Sequence, residues 1–167
     1  MNIKIFLLVF VVLIVGCRSF EFVYDKSPTI KLLENNTQVI VGGEDTYIIK
    51  SYISNVVGKS TSSGKFKLLV SSSQSSNKTV IRDNQTVSQI EIKHILSYNL
   101  QSGDGGCIIS EAEISSSSTY NLKSSGYSFG TDLAKKETVN NNIEKNINEF
   151  FHLLTQNYSN LDCKNEN

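Results

Sequence analysis

Residues 87–100 read VSQIEIKHILSYNL. Ile90, Ile92, Leu96, Tyr98 and Leu100 share one parity, while Glu91, Lys93, Ser97 and Asn99 share the other. Side chains alternate between the two faces of a strand, so this pattern predicts a long strand with one dry face and one wet face. His94 falls on the dry parity. The run Ser102-Gly103-Asp104-Gly105-Gly106 then supplies a hairpin connection. Beyond it, Ile108, Ala112 and Ile114 continue on one face of a second strand, against Glu111 and Glu113 on the other. Strands joined by so short a turn are antiparallel neighbours.

Working upstream, Lys65-Phe66-Lys67-Leu68 alternates charged and apolar residues, which again marks a half-buried strand. The serines and glutamine from Ser71 to Ser76 have the composition of a linker. Thr79-Val80-Ile81 restores β character at once, so the serine run is read as the polar middle of one strand, and Asp83-Asn84-Gln85 supplies the turn after it. Val39-Ile40-Val41 is a further β-branched run ended by Gly42-Gly43, and Pro28 opens a short extended stretch containing Ile30 and Leu32.

The period changes twice. From Glu44, the residues Ile48, Ile49, Tyr52, Ile53, Val56 and Val57 recur at helical spacing. Glu44 and Asp45 fall in the first turn, where carboxylates favour the positive helix end, and Gly58 suits the C-terminal cap. A last helix is expected from Thr131, an N-cap, with Asp132 in its first turn. Val139, Ile143, Ile147, Phe150, Phe151 and Leu154 run down one side of it, and Lys135, Lys136, Glu137, Glu144 and Lys145 lie off that stripe. Ser115–Ser118 reads as the end of a strand and 124–130 as a loop. The order of elements predicts an α+β fold, a two-layer sandwich.

Composition narrows the classes of function. With 167 residues and 39% hydrophobic content, the chain suits one domain. Sixteen basic residues balance sixteen acidic ones, so no overall field draws it to nucleic acid. The single Pro and the absence of Trp weigh against a polyproline ligand or an aromatic sugar platform.

The N-terminus carries an address. Lys4 precedes an apolar run from Ile5 to Gly16 of about 12 residues, the length of a signal-peptide core and short for a bilayer span. The run ends Leu13-Ile14-Val15-Gly16-Cys17, which resembles a bacterial lipobox. Such signals are cut before the Cys, whose thiol takes a diacylglyceryl group and whose new amine takes an acyl chain. Chains of that kind contribute about 0.8 kcal/mol per buried methylene and hold a soluble domain at a membrane. The expected organisation is a signal peptide over 1–16, a lipoprotein domain over 17–158 and a frayed polar tail over 159–167. No Asp follows Cys17, and in enteric bacteria that absence favours the outer membrane over retention at the inner one.

Enzyme chemistry finds little support. Cys107 would need His94 or His152 beside it to act as a nucleophile, and each His is more simply a structural one. No Cys-x-x-Cys or His-x-x-x-His spacing offers a metal site. Gly103, Gly105 and Gly106 lack the following helix and Lys-Ser/Thr of a phosphate loop, so they read as a turn. Glu111 and Glu113 share a strand face as ordinary exposed acids. Neither a catalytic residue nor a cofactor is expected. Export would permit a disulfide between Cys107 and Cys163, but the sequence favours two unpaired, partly buried thiols.

Taken in order, Gly16-Cys17 with Phe20 close behind, the strand from Lys65 into IRDNQT, the strand VSQIEIKHILSYNL, and YSFGTDLAKKETVNNNIEKNINEFFHLL resemble the LPS-assembly lipoprotein family LptE. The resemblance runs from Gly16 to about Leu154. It implies two helices packed on a mixed, mostly antiparallel four-stranded sheet. It further implies a lipid-anchored protein of the outer membrane, seated in the lumen of the LPS-translocating β-barrel LptD and touching LPS in transit. Basic residues of that family would correspond here to Arg82, before the turn, and to Lys135 at the start of the last helix, with Lys136 beside it. A planar guanidinium grips phosphate in two places, which favours Arg82. The turn after Leu100 is richer in glycine than the family pattern, and Cys107 and Cys163 are not landmarks of it. The alternative reading is an unrelated periplasm-facing lipoprotein, a transporter accessory or surface antigen.

Overall fold

A computed structural model describes residues 27–81, 88–104, 106–122 and 128–158, together with Leu161 and Cys163. Helix α1 (Pro28–Leu33) leads into strand β1 (Thr37–Gly43), then helix α2 (Thr46–Val57). Strands β2 (Phe66–Ile81), β3 (Ser88–Ser102) and β4 (Ile108–Leu122) follow, and helix α3 (Ser128–Asn157) closes the chain. The sheet order is β1-β2-β3-β4. β1 runs parallel to β2, and the other two pairings are antiparallel, so the sheet is mixed. Helices α2 and α3 lie on one face. The α+β sandwich read from the sequence is the observed architecture.

The strand parity holds at the core. Ile92, Leu96, Tyr98 and Leu100 of β3 are buried together with Leu68 and Val70 of β2. Ile49, Ile53 and Val57 of α2 and the stripe Val139, Ile143, Ile147, Phe150, Phe151 and Leu154 of α3 cover them. Burial of side chains of this size stabilises the fold by roughly 1.5–3 kcal/mol each. The Tyr98 and Phe150 rings stack with centroids 4.1 Å apart, and Phe151 meets Phe150 edge-on at 5.2 Å. The serine run is strand throughout, as β2 continues unbroken from Phe66 to Ile81.

Several local expectations are corrected. Pro28 opens a turn of helix rather than an extended stretch, because proline's fixed φ and missing N–H suit a first helical position. Asp45 does not sit in the first turn of α2. It stands at the N-cap with φ 53° and makes no capping bond, while Glu44 precedes the helix and accepts from the Gln74 backbone N–H. On β4, Ile108 is 37% exposed and Ile109 is buried instead. Leu100 pairs with Ser110 but Gln101 with Ile108, so one extra residue bulges there and turns Ile109 inward. Helix α3 begins at Ser128, three residues before the expected cap.

The largest correction concerns the thiols. Cys107 and Cys163 form a disulfide, with Cα atoms 5.7 Å apart, and Leu161 packs against the core. The tail after α3 is thus tied to the start of β4 at Cys163 rather than frayed there. Its other residues beyond Tyr158, and the turn Asp83-Asn84-Gln85, lie outside the described residues.

Candidate functional site

The polar groups inside the molecule were not legible in the apolar stripe. Asn142 and Asn146 stand one turn apart on α3 and are fully buried. Asn142 Nδ2 donates to the Ile92 carbonyl at 2.8 Å, and Asn146 Nδ2 donates to the Ile114 carbonyl at 2.8 Å. Tyr98 Oη donates to Asn146 Oδ1 at 2.9 Å, and Ser116 Oγ donates to the Asn142 carbonyl at 2.9 Å. Burial holds the Tyr98 phenol far above its ordinary pKa, so it stays a neutral donor. Asn142 Oδ1 alone in this seam lacks a hydrogen-bond partner. Two residues at i, i+4 that read strand carbonyls fix the height of α3 on the sheet.

His94 belongs to the same seam. It is fully buried, with Nε2 3.1 Å from Asp45 Oδ2 and Nδ1 3.5 Å from Asn142 Nδ2. The ring therefore joins the start of α2 to β3 and meets α3. Both ring nitrogens are thus engaged inside the packed seam, by Asp45 and by Asn142. His152 lies exposed on α3, its Nε2 2.9 Å from Gln156 Nε2. Cys107 is bridged and carries no thiol for attack. Among the described residues, no three His, Cys, Asp or Glu side chains gather to hold a metal ion.

The glycine-rich connection is a turn held from within. Ser102 Oγ donates to Asp104 Oδ1, the Gly106 N–H donates to the same oxygen at 3.0 Å, and the Cys107 N–H donates to Ser102 Oγ at 3.2 Å. The Ser102 hydrogen bond, and then that of Gly106, hold the Asp104 carboxyl below its ordinary pKa. Gly103 N–H bonds the Lys65 carbonyl at 2.7 Å, which closes this end of the sheet. Gly105 lies outside the described residues.

Of the proposed ligand residues, Lys135 and Lys136 are exposed in the first third of α3. Arg82 and Cys17 lie outside the described residues. Ile81 and Ser88, which bracket Arg82, pair at one end of the sheet, and Ser88 also pairs with Leu122. Later residues of α3 contact earlier residues of β4, so the start of the helix lies towards that same end. The exposed Lys78, paired with Ile90, lies there too.

On the face away from the helices, Glu111 and Glu113 project from β4 as expected. Asn99 Nδ2 donates to Glu111 Oε1, and Ser97 Oγ donates to Glu113 Oε2 at 3.4 Å. These four residues, with Ile40 and Gly42 of β1 and Leu69 and Ser71 of β2, line a shallow trough of about 540 Å³. Among the described residues, no helix is long and apolar enough to cross a membrane.

No protein-family profile and no curated protein matches the sequence. Solved structures do match in shape. A candidate lipoprotein from Caulobacter crescentus superposes with a TM-score of 0.57 at 12% identity, over 77% of this chain and 93% of that one. Rare lipoprotein B from Shewanella oneidensis matches at 0.49 and 12% identity, over 72% and 96% of the two chains. A minor lipoprotein from Acinetobacter baumannii matches at 0.47 and 8%, over 72% and 92%. The chain shares its fold with the Caulobacter domain. At such identities the likeness is one of fold alone, and it does not single out the LPS-assembly family.

Proposed function

We propose that this protein is an exported lipoprotein, anchored through acyl chains on Cys17, whose α+β domain works as a non-catalytic accessory or binding module on the periplasmic side of the outer membrane. The observation that carries the reading is the Cys107–Cys163 disulfide in a fold shared with a lipoprotein domain. Disulfides persist in oxidising compartments, and a leader ending at Gly16-Cys17 sends the chain to one. Two of the side chains weighed for nucleophilic chemistry are engaged structurally, His94 in the buried seam and Cys107 in the bridge.

A narrower reading is that of an LPS-assembly lipoprotein partnered with the barrel LptD. It is supported by the order of sequence features and by the exposure of Lys135 and Lys136 towards the end of the sheet whose connection carries Arg82. Clustered lysines and an arginine suit the phosphates of LPS. A mild-detergent pull-down of the tagged protein from its native membranes, read by mass spectrometry, tests both readings. One large β-barrel recovered in near equal amount supports the narrower reading, and recovery with a transporter supports the general one. Recovery of the protein alone contradicts the accessory role.

A further inference from the structure

The two outer edges of the sheet are finished differently. At β1, the Thr61 N–H donates to the Thr37 carbonyl at 3.2 Å and the Val39 N–H donates to Ser60 Oγ at 2.9 Å. The loop after α2 thus closes the first half of that edge. β4 stands at the other end of the order and pairs with β3. Among the described residues, no backbone hydrogen bond reaches β4 from any other segment, although the Ile114 carbonyl accepts from Asn146 Nδ2. An antiparallel strand with one neighbour turns the N–H and C=O of every second residue outward. Exposed edges are commonly blunted by Lys, by Pro or by short length. β4 runs from Ile108 to Leu122 without Lys, Arg or Pro.

The side chains of β4 define what fits beside it. On the face away from the helices, Glu111, Glu113, Ser115, Ser117 and Thr119 are exposed. On the helix face, Ala112, Ile114 and Tyr120 are half-buried against the core. Opposed residues on neighbouring strands lie about 4.5–5.5 Å apart, where opposite charges attract and like charges repel. A neighbour for this edge therefore carries cations at two alternate positions, against Glu111 and Glu113, and apolar residues at the positions between. The carboxylates are steadied for that role by Asn99 Nδ2 and Ser97 Oγ. A second copy of β4 brings no cation to meet them.

We propose that the open edge of β4 is a docking site for an extended segment of a partner protein in which basic and apolar residues alternate, added to the sheet as a fifth strand. Main-chain bonds to the outward groups of β4 supply affinity, and the Glu111–Glu113 pair sets the register. The docking needs neither the acyl chain nor the exposed lysines. It rests on the accessory reading in that it names the kind of segment such a module holds. The test uses purified chain and peptide without membranes, so its failure and that of the accessory reading are separate outcomes.

The probe is a fluorescein-labelled hexapeptide of alternating arginine and valine. It is titrated with the full chain purified in non-ionic detergent and followed by anisotropy. Saturable binding is expected, weakened about two- to twenty-fold by Glu111→Gln with Glu113→Gln, as two exposed ion pairs are lost. The glutamines keep the acceptor oxygens that Asn99 and Ser97 use, so an unchanged melting temperature is expected. Glu111→Lys with Glu113→Lys should transfer preference to the matching peptide of glutamate and valine. N-methylation of one alternate set of peptide amides should abolish binding while methylation of the other set leaves it, since only one set faces the sheet. Failure to saturate overturns the proposal, as does binding indifferent to both pairs of glutamate changes. Equal effects of the two methylated sets overturn it too, because they assign the binding to charge alone. A chain that sediments as a dimer and excludes the peptide overturns it in favour of a second copy on this edge.

Discussion

At the scale of single residues, the molecule is held by polar groups that the hydrophobic pattern hides. Tyr98 reads as one more apolar position on β3, yet its hydroxyl occupies Asn146 Oδ1 inside the core. Tyr98→Phe keeps the ring stack on Phe150 and leaves that acceptor without its donor. It should destabilise the fold by about 1–2 kcal/mol, seen as a lower urea midpoint at unchanged slope. Removing volume costs more: Ile53→Ala opens a cavity under α2 and should cost about 2–5 kcal/mol in the same measurement. Asp104 offers a test in pH. Its carboxyl is held below the ordinary value in the folded turn, so the stability it contributes is full above the unfolded pKa and fades as pH falls through the folded one. Asp104→Ala should therefore lower the melting temperature at neutral pH, and the difference from the parent should shrink in acid. A gap that widened in acid would contradict the assigned sign. Neither Asn142 nor Asn146 was legible as a core residue. Periodicity marks apolar positions, and a buried amide looks like an exposed one until its carbonyl partners are known.

Elements were read well wherever one period ran long. The parity of 90–100 and the stripe from Val139 to Leu154 each repeat several times, so a wrong period would have failed visibly. Short pieces carried no such redundancy. Three residues after Pro28 fit a strand or a turn of helix equally, and the helix won because Ile30 and Leu33 both reach the core. The bulge at Gln101 moved burial from Ile108 to Ile109, which no alternation rule anticipates. The disulfide was illegible for a different reason: a contact across 56 residues depends on the whole fold returning α3 to the start of β4. On the chain-entropy account, a loop of that length stabilises by about 4 kcal/mol. Cys163→Ser should lower the melting temperature, and reductant should lower the parent to nearly the same value. A parent indifferent to reductant would mean that the bridge is not formed.

For the whole molecule, the sheet organises everything else. Its covered face is committed to the core, and Lys135, Lys136 and Lys78 are exposed towards one end of it. If LPS phosphates bind at the lysine end, Lys135→Glu with Lys136→Glu should weaken LPS binding in vesicles while leaving the melting temperature within about 1 °C, since surface pairs contribute little. Unchanged binding would remove both lysines from the site. The central claim, however, is the lipid anchor, because every larger role depends on it. The direct measurement is the intact mass and labelled-palmitate content of the protein extracted from its native membranes, beside Cys17→Ser. The account predicts a mature chain beginning at Cys17 with fatty acid attached, and loss of both the label and the cut in the variant. A parent without fatty acid, or one that releases from disrupted cells like a soluble protein, would contradict it.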